Sequence, residues 1–397
     1  MKILYIHTYY RQRGGEDIVY ENEKILMEEG GYETASVVFN NRKFAAFKFM
    51  FLFFNPLSFI KVYRKIGEFK PDIVHIHNWF FGASPSVFLA VKLRKVPLVH
   101  TMHNFRILCP SAYLYDSNGQ FMDSVTKIIP FRAIKNRVYR HSFFFTFWLA
   151  ACTRLHFLFR TWQSADRLIS LTANARKIIF ESYLHIEPNK VVVKPNFFKI
   201  DHSSPVISGN VIRNNSFLFV GRLSVEKGVE VLLSAFHKSP FSLTIIGDGP
   251  LRKEVEKNAA ENGNISFIGF QKKDRIMEEM SKCSALIFPS VAYEQFGLTI
   301  IEAFSCGTPV IASDSGSPAE LISEGINGLH FKTGSSAELI RKINDWIAIP
   351  ETVKQLYIEN AVSTYNQYFT AEYNFMQLSS IYTSLINEKK SDFQLSN

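Results

Sequence analysis

Two glutamates, Glu294 and Glu302, stand with seven residues between them in the stretch YEQFGLTIIEAFSCGTPVIASD. Glu302 lies inside an apolar run, after Ile300 and Ile301 and before Ala303 and Phe304. An unpaired buried charge is costly, so a carboxylate there needs a purpose. The intervening residues read as a helix that begins near Phe296 and Gly297 and stops at Gly307, a residue type suited to the C′ position. A helix N-terminus offers free N–H groups and the positive end of a macrodipole, which together attract an anion. Glu302 follows Gly297 by about 7.5 Å of helix axis, and helical side chains lean back toward the N-terminus. Two carboxylates would then flank one anion. Carboxylates repel phosphate but accept hydrogen bonds from hydroxyls. The pattern suits a ligand with hydroxyls on both sides of a diphosphate: Glu302 for a ribose, Glu294 for a sugar.

Cations stand where such a diphosphate would lie. In FVGRLSVEKG, Arg222 follows an apolar strand directly and Lys227 precedes the next helix. Two cations on a leaving diphosphate stabilise the charge that develops as a glycosidic bond breaks. IIGDGP places Gly247, Asp248 and Gly249 at the end of another strand, where small residues let a ligand approach the backbone. Alone this is half of a Gly-x-Gly-x-x-Gly pattern, with Arg252 in the third glycine position. His103 stands at a strand end in HTMHN. His75 and His77 alternate on one face of DIVHIHN and read as cleft or core residues, because no third metal ligand accompanies them. Neither Asp-x-Asp nor His-Glu-x-x-His occurs.

The elements that must position these groups are legible as two alternating sets of strands and helices. KILYIHTYY, YETASVVF, PDIVHIHN, VPLVHTMHN, DRLISLT and KVVVKPN read as strands, with amphipathic helices such as EDIVYENEKILMEEGG between them, its apolar face carried by Ile18, Ile25 and Leu26. After the loop-like Phe197–Asn215 the pattern restarts from SFLFVGR. Alternation of this kind means βαβ units on a parallel sheet. Two Rossmann-like doubly wound α/β domains are therefore expected: 1–195, and 196–370 after a linker near Lys194–Ser204. A C-terminal helix over 371–390 is free to pack back on the first domain. Ligands bind beyond the C-terminal ends of such strands, so the cleft between facing sheets is the natural site.

Bulk composition narrows the class. The 397 residues are 47% hydrophobic and 20% charged, a globular balance. A net charge of +9 suits a polyanion, an anionic membrane surface or a phosphorylated substrate without choosing among them. Four scattered cysteines fit a reducing compartment better than a disulfide framework. The N-terminus reads as a buried first strand rather than a signal peptide. Two Phe-rich stretches, Phe44–Tyr63 and Ser142–Arg160, are interrupted by Lys48 and Pro56 and by Thr153 and Arg154. Neither supplies the ~20 apolar residues that spanning needs. Core helices would account for both, yet the basic run RAIKNRVYRH before the second favours an interfacial position for at least one.

The motifs GRLSVEKG, IIGDGPLR, FPSVAYEQFGLTIIEAFSCGTPVIAS and ELISEGINGLHF, with RGGED and HTMHN, resemble the retaining family 4 glycosyltransferases of the GT-B fold, over nearly the whole chain. The resemblance implies a nucleotide-sugar donor held by the C-terminal half and a saccharide or lipid-linked acceptor held by the N-terminal half. It implies Arg222 and Lys227 on the donor phosphates, Glu294 on the sugar and Glu302 on the ribose. The amides of Phe296, Gly297 and Leu298 would meet the diphosphate, Gly15 would lie near the donor phosphate, and His103 beside the anomeric centre. Gly247 and Asp248 complete the expected donor site. The resemblance implies no cofactor and no metal. The long segment FRILCPSAYLYDSNGQFMDSVTKIIPF departs from the family pattern and falls where the acceptor is expected. The expected protein is a cytoplasmic hexosyltransferase, peripheral at the inner face of a bacterial membrane, acting in surface polysaccharide synthesis such as lipopolysaccharide or capsule. An epimerase or sugar phosphorylase on the same fold is the near rival. A non-catalytic binder of anionic lipid or nucleic acid is the distant one; the best-placed cations sit at strand ends, so no nucleic acid partner is expected.

Overall fold

β-branched and aromatic runs, apolar on both faces, form two six-stranded parallel sheets. The computed structural model describes residues 1–10, 13–41, 49–116, 119–120, 122–200 and 213–395. Residues 201–204 of the expected linker and the segment Phe44–Lys48 lie outside the described residues. The chain divides into two units: Met1–Ser117, Phe121–Asn196 and Ala371–Asn397 in the first, Asn118–Gln120 and Phe197–Thr370 in the second.

The first sheet contains β1 (Lys2–Tyr9), β2 (Glu33–Asn40), β3 (Ile73–Ile76), β4 (Leu98–Met102), β5 (Arg167–Ser170) and β6 (Val191–Val193), in the order β2-β1-β3-β4-β5-β6. The register pairs Ile3 with Ile73 and Ile76 with His100, so β3 and β4 end side by side. Helix α1 (Gly15–Glu29) opens with the N–H of Gly14 donating to Asp17 Oδ2 at 3.0 Å. Its inward face differs from the expected one. Ile18 and Ile25 are each 48% exposed, while Asp17, Tyr20, Glu23 and Met27 are buried. Two acids point inward because each finds a partner there, His7 for Asp17 and Lys194 for Glu23. One Glu23 oxygen is thus satisfied by a buried ammonium.

Further along the first unit, α2 (Phe143–Leu158) begins at Ser142, whose Oγ accepts from Phe145 N at 3.4 Å. The basic run before it is not one continuous helix. Helical structure covers only Phe131–Lys135, and Arg137, Arg140 and His141 take positive φ.

The second sheet contains β7 (Ser216–Val220), β8 (Ser242–Ile246), β9 (Ile265–Phe267), β10 (Ala285–Phe288), β11 (Val310–Ser313) and β12 (Gly328–Phe331), in the order β9-β8-β7-β10-β11-β12. Helix α3 (Leu298–Ser305) is short and is fixed by burial of Ile300, Ile301, Ala303 and Phe304. Burying each large side chain contributes about 1.5–3 kcal/mol, which sets the rotation of the helix and leaves Glu302 on a half-buried side. The last helix, α4 (Ala371–Leu395), belongs to the first unit. There Leu378, Tyr382 and Leu385 pack with Ile3, Tyr5, Met27 and Ile73.

Candidate active site

In the second unit, three loops leave the C-terminal ends of β7, β8 and β10 and are locked to one another. Gly228 has φ +71, and a Cβ there would lie 1.8 Å from the Pro289 carbonyl oxygen. Only glycine permits that approach. The Glu226 carbonyl accepts from the N–H groups of Val291 and Ala292 at 3.1 and 3.2 Å and from Ser290 Oγ at 3.0 Å. Leu223 N donates to the Asp248 carbonyl at 3.0 Å. Gly247 has φ +151, and a Cβ there would meet the Gly221 carbonyl at 1.9 Å. Arg222, Lys227, Gly247, Asp248 and Glu294 are therefore carried on one connected set of loops.

The charges on these loops have definite partners. Lys227 Nζ lies 2.5 Å from Glu294 Oε1, and Ser290 Oγ donates to the same oxygen at 2.8 Å. Glu294 is 6% exposed. Its backbone is held too: Ser317 N donates to its carbonyl at 2.9 Å, and a Cβ on Gly316 would sit 2.8 Å from its N and O. Arg222 is exposed and pairs with no acid among the described residues. Asp248 is exposed and 3.8 Å from Arg252. Gly297 caps α3, Leu298 opens it, and Phe296 meets Phe369 at 6.1 Å between centroids. Glu302 is held by Lys273 at 2.5 Å, and that ammonium also lies 4.4 Å from the Phe198 centroid. Lys273 escaped sequence reading because only the fold brings it to Glu302. Gln295 escaped as well: it is buried, and neither amide atom has a partner among the described residues.

In the first unit, the ends of β3 and β4 and the turns after them enclose a pocket of about 270 Å³, counting its open mouth. It is lined by His77, Asn78, Trp79, Phe80, His100–Asn104, Arg106 and Ile107. Gly15 is in the first turn of α1, on the same unit. His103 Nε2 lies 3.1 Å from His77 Nδ1, with the rings 5.3 Å apart and nearly parallel. His103 Nδ1 is buried without a partner among the described residues. Burial, then neighbouring cationic groups, push His75, His77 and His103 well below the ordinary histidine pKa. These imidazoles are neutral near pH 7.

At His75 and His77 the fold differs from the sequence expectation. His75 and His77 do have a third potential metal ligand, Glu23 from α1, with ligand atoms within 4.8 Å of one another. Two segments remote in sequence, α1 and the end of β3, supply the cluster, which no spacing revealed. Three of its atoms are already occupied: His75 Nδ1 meets Tyr382 Oη at 2.6 Å, His75 Nε2 meets Thr101 Oγ1 at 2.7 Å, and Glu23 Oε1 meets Lys194 Nζ at 2.6 Å, while Glu23 Oε2 and His77 Nε2 have no hydrogen-bond partner among the described residues. The ammonium of Lys194 stands as the cation beside Glu23.

Two parallel α/β units, with cations and carboxylates gathered on the strand-end loops of the second, define the GT-B architecture. Residues 207–362 match the family model described as glycosyl transferases group 1, and residues 5–202 match that of glycosyltransferase family 4. The chain belongs to the family 4 glycosyltransferases. It is 29% identical over 182 residues to the O-antigen chain mannosyltransferase C of Escherichia coli, covering 45% of this chain and 49% of that one. It is 31% identical over 164 residues to the D-rhamnosyltransferase WbpZ of Pseudomonas aeruginosa, covering 39% and 42%. The aligned parts thus span less than half the length of these relatives. Among solved structures, HepE of Anabaena in complex with UDP-glucose superposes with a TM-score of 0.68 at 21% identity, over 97% of this chain and all of that one.

Proposed function

We propose that this chain transfers a hexosyl group from a nucleotide-sugar donor to a saccharide or lipid-linked saccharide acceptor, with retention of anomeric configuration, in surface polysaccharide synthesis. The carrying observation is the Lys227–Glu294 pair, clamped on the loops at the ends of β7 and β10. A donor diphosphate would draw Lys227 and the exposed Arg222, releasing Glu294 to accept from sugar hydroxyls. The α3 amides from Phe296 to Leu298 would face the same diphosphate, and Gly247 would allow its close approach beside Asp248. Glu302, held by Lys273, would accept from ribose hydroxyls.

In the transfer, the bond from C1 to the diphosphate oxygen breaks and a bond from C1 to the acceptor oxygen forms. The acceptor proton passes to the departing phosphate oxygen, so no protein nucleophile is used. Gly15 would leave room for the donor phosphate. His103 would act as a neutral hydrogen-bonding group near C1. Glu23 Oε2 lies 3.4 Å from His77 Nε2 and favours a proton there. His77 Nδ1 then accepts from His103 Nε2–H, which leaves His103 Nδ1 a bare acceptor.

We also infer peripheral contact with an anionic membrane, at its inner face. No described helix is long and apolar enough to cross a membrane. Yet α2 exposes Phe143, Phe144 and Phe147 by 57, 53 and 49%. The segment 49–54 packs along it through Phe49–Phe145 and Phe53–Phe159 and adds exposed Met50, Phe51 and Phe54. Exposed Arg137, Arg140 and Arg160 border these aromatics. The relatives named for O-antigen and rhamnose transfer, and the UDP-glucose complex of HepE, support the donor and pathway class.

Incubating the protein with a panel of nucleotide-sugars and a membrane glycolipid extract tests this. Release of nucleoside diphosphate should require the extract, and the product should keep the donor's anomeric configuration by NMR. Extract-independent epimerisation, or turnover driven by inorganic phosphate, would overturn it.

A further inference from the structure

Arg106 lines the first unit's pocket, and nothing in the donor chemistry uses it. Its guanidinium carbon lies 4.0 Å from the centroid of Phe80 and 5.6 Å from that of Tyr139. Stacking of this kind fixes the plane of the fork while leaving its N–H edge for a ligand. Its backbone N–H donates to Asn104 Oδ1 at 3.0 Å, so the stem starts from a held position. One Nη donates a long bond of 3.4 Å to the Pro110 carbonyl, and Nε is buried without a partner among the described residues. A buried charged donor left unmet is costly, and a ligand anion would meet it.

Two neighbours bear on what that anion is. Glu16 acts on Arg106 electrostatically and takes a hydrogen bond from Asn104 Nδ2 at 2.5 Å. Burial raises the Glu16 pKa, and the Asn104 amide already engages one of its oxygens. Tyr139 stacks on Phe49 at 5.6 Å, and Phe49 meets Phe145 of α2 at 5.3 Å. The aromatic bed under Arg106 is therefore continuous with the exposed Phe-rich face.

We propose that Arg106 binds a phosphate group on the acceptor, the acceptor being a sugar carried on a lipid phosphate or diphosphate. This rests on the transferase reading above and assigns its acceptor class. A fork beside an apolar face can hold the phosphate while the lipid stays along that face, and a phosphate oxygen satisfies Nε and one Nη together.

The test is calorimetric titration of wild type, Arg106→Met and Arg106→Lys with geranyl diphosphate, geraniol and inorganic pyrophosphate. Geranyl diphosphate affinity should fall about tenfold or more in Arg106→Met, with geraniol binding unchanged. Arg106→Lys should lose less, since it keeps the charge and gives up only the fork. It also carries the comparison if Arg106→Met fails to fold by near-ultraviolet circular dichroism. An unchanged geranyl diphosphate affinity in both folded variants would overturn the assignment. An equal Arg106 dependence for pyrophosphate, at equal affinity, would overturn the lipid source. No donor is present in these titrations, so they fail or succeed separately from the transfer assay.

Discussion

Glu294 shows what one residue can be asked to do. Its carboxylate is nearly excluded from water, yet Lys227 and Ser290 already satisfy one oxygen. An acid that only stabilised the fold could keep that pairing permanently. An acid that meets substrate must exchange it, and the half-buried Lys227 is positioned to leave toward a phosphate. Glu294→Gln keeps shape and a hydrogen-bond acceptor but removes the charge that orders Lys227 and grips sugar hydroxyls. Transfer should fall by about a hundredfold or more, the scale seen when one preorganised polar contact to a reacting centre is removed. The melting temperature should move by no more than a few degrees, because Ser290 and the clamped backbone remain. Wild-type turnover in the glutamine variant would remove Glu294 from the site. A matching collapse of stability would assign it to structure instead.

At the scale of elements, the strands and their order of appearance were legible because parallel sheets are buried on both faces and read as apolar runs. The strand-end motifs followed, since a loop after a strand inherits its position. Three features were not legible. The inward face of α1 was misread because its buried residues include two acids whose partners, His7 and Lys194, lie on other elements. Glu23 joins His75 and His77 for the same reason. Arg154 looked like an interruption of an apolar stretch, but it is a buried clamp donating to carbonyls of Ile107, Leu108 and Ile128. That clamp explains how α2 tolerates the charge and keeps its other face free. If that face meets lipid, replacing Phe143, Phe147 and Phe159 together by serine should cut binding to anionic vesicles by at least about a hundredfold, since each buried phenylalanine contributes about 1.5–3 kcal/mol. Residual binding should weaken with salt, because Arg137 and Arg140 remain. The fold should persist, as all three rings are exposed. Cosedimentation that is the same for the variant and the wild type would remove the membrane role of this face.

For the whole molecule, the histidines couple folding to pH. His75, His77, His100 and His103 lie on β3, β4 and the turns after them, and burial is the first cause that lowers each pKa, with His100 brought to about 3. The buried ammonium of Lys194 opposes a second positive charge on His75, His77 and His103. In the unfolded chain the same side chains titrate near 6.5. Above that pH neither state carries these protons, and the stability they allow is fully present. Below it the unfolded chain takes up protons that the folded chain refuses, so stability falls as pH drops from about 6.5 toward the folded values. Each histidine kept neutral then contributes a loss of about 1.4 kcal/mol per pH unit. Several acting together should unfold the chain well above pH 3, before His100 itself accepts a proton in the native state. Urea midpoints measured from pH 7.5 to 5 should be flat above 6.5 and then fall steeply. A midpoint that holds constant down to pH 5 would mean that the histidine cluster is hydrated and protonated in the folded chain, and the neutral acceptor argued for His103 would go with it.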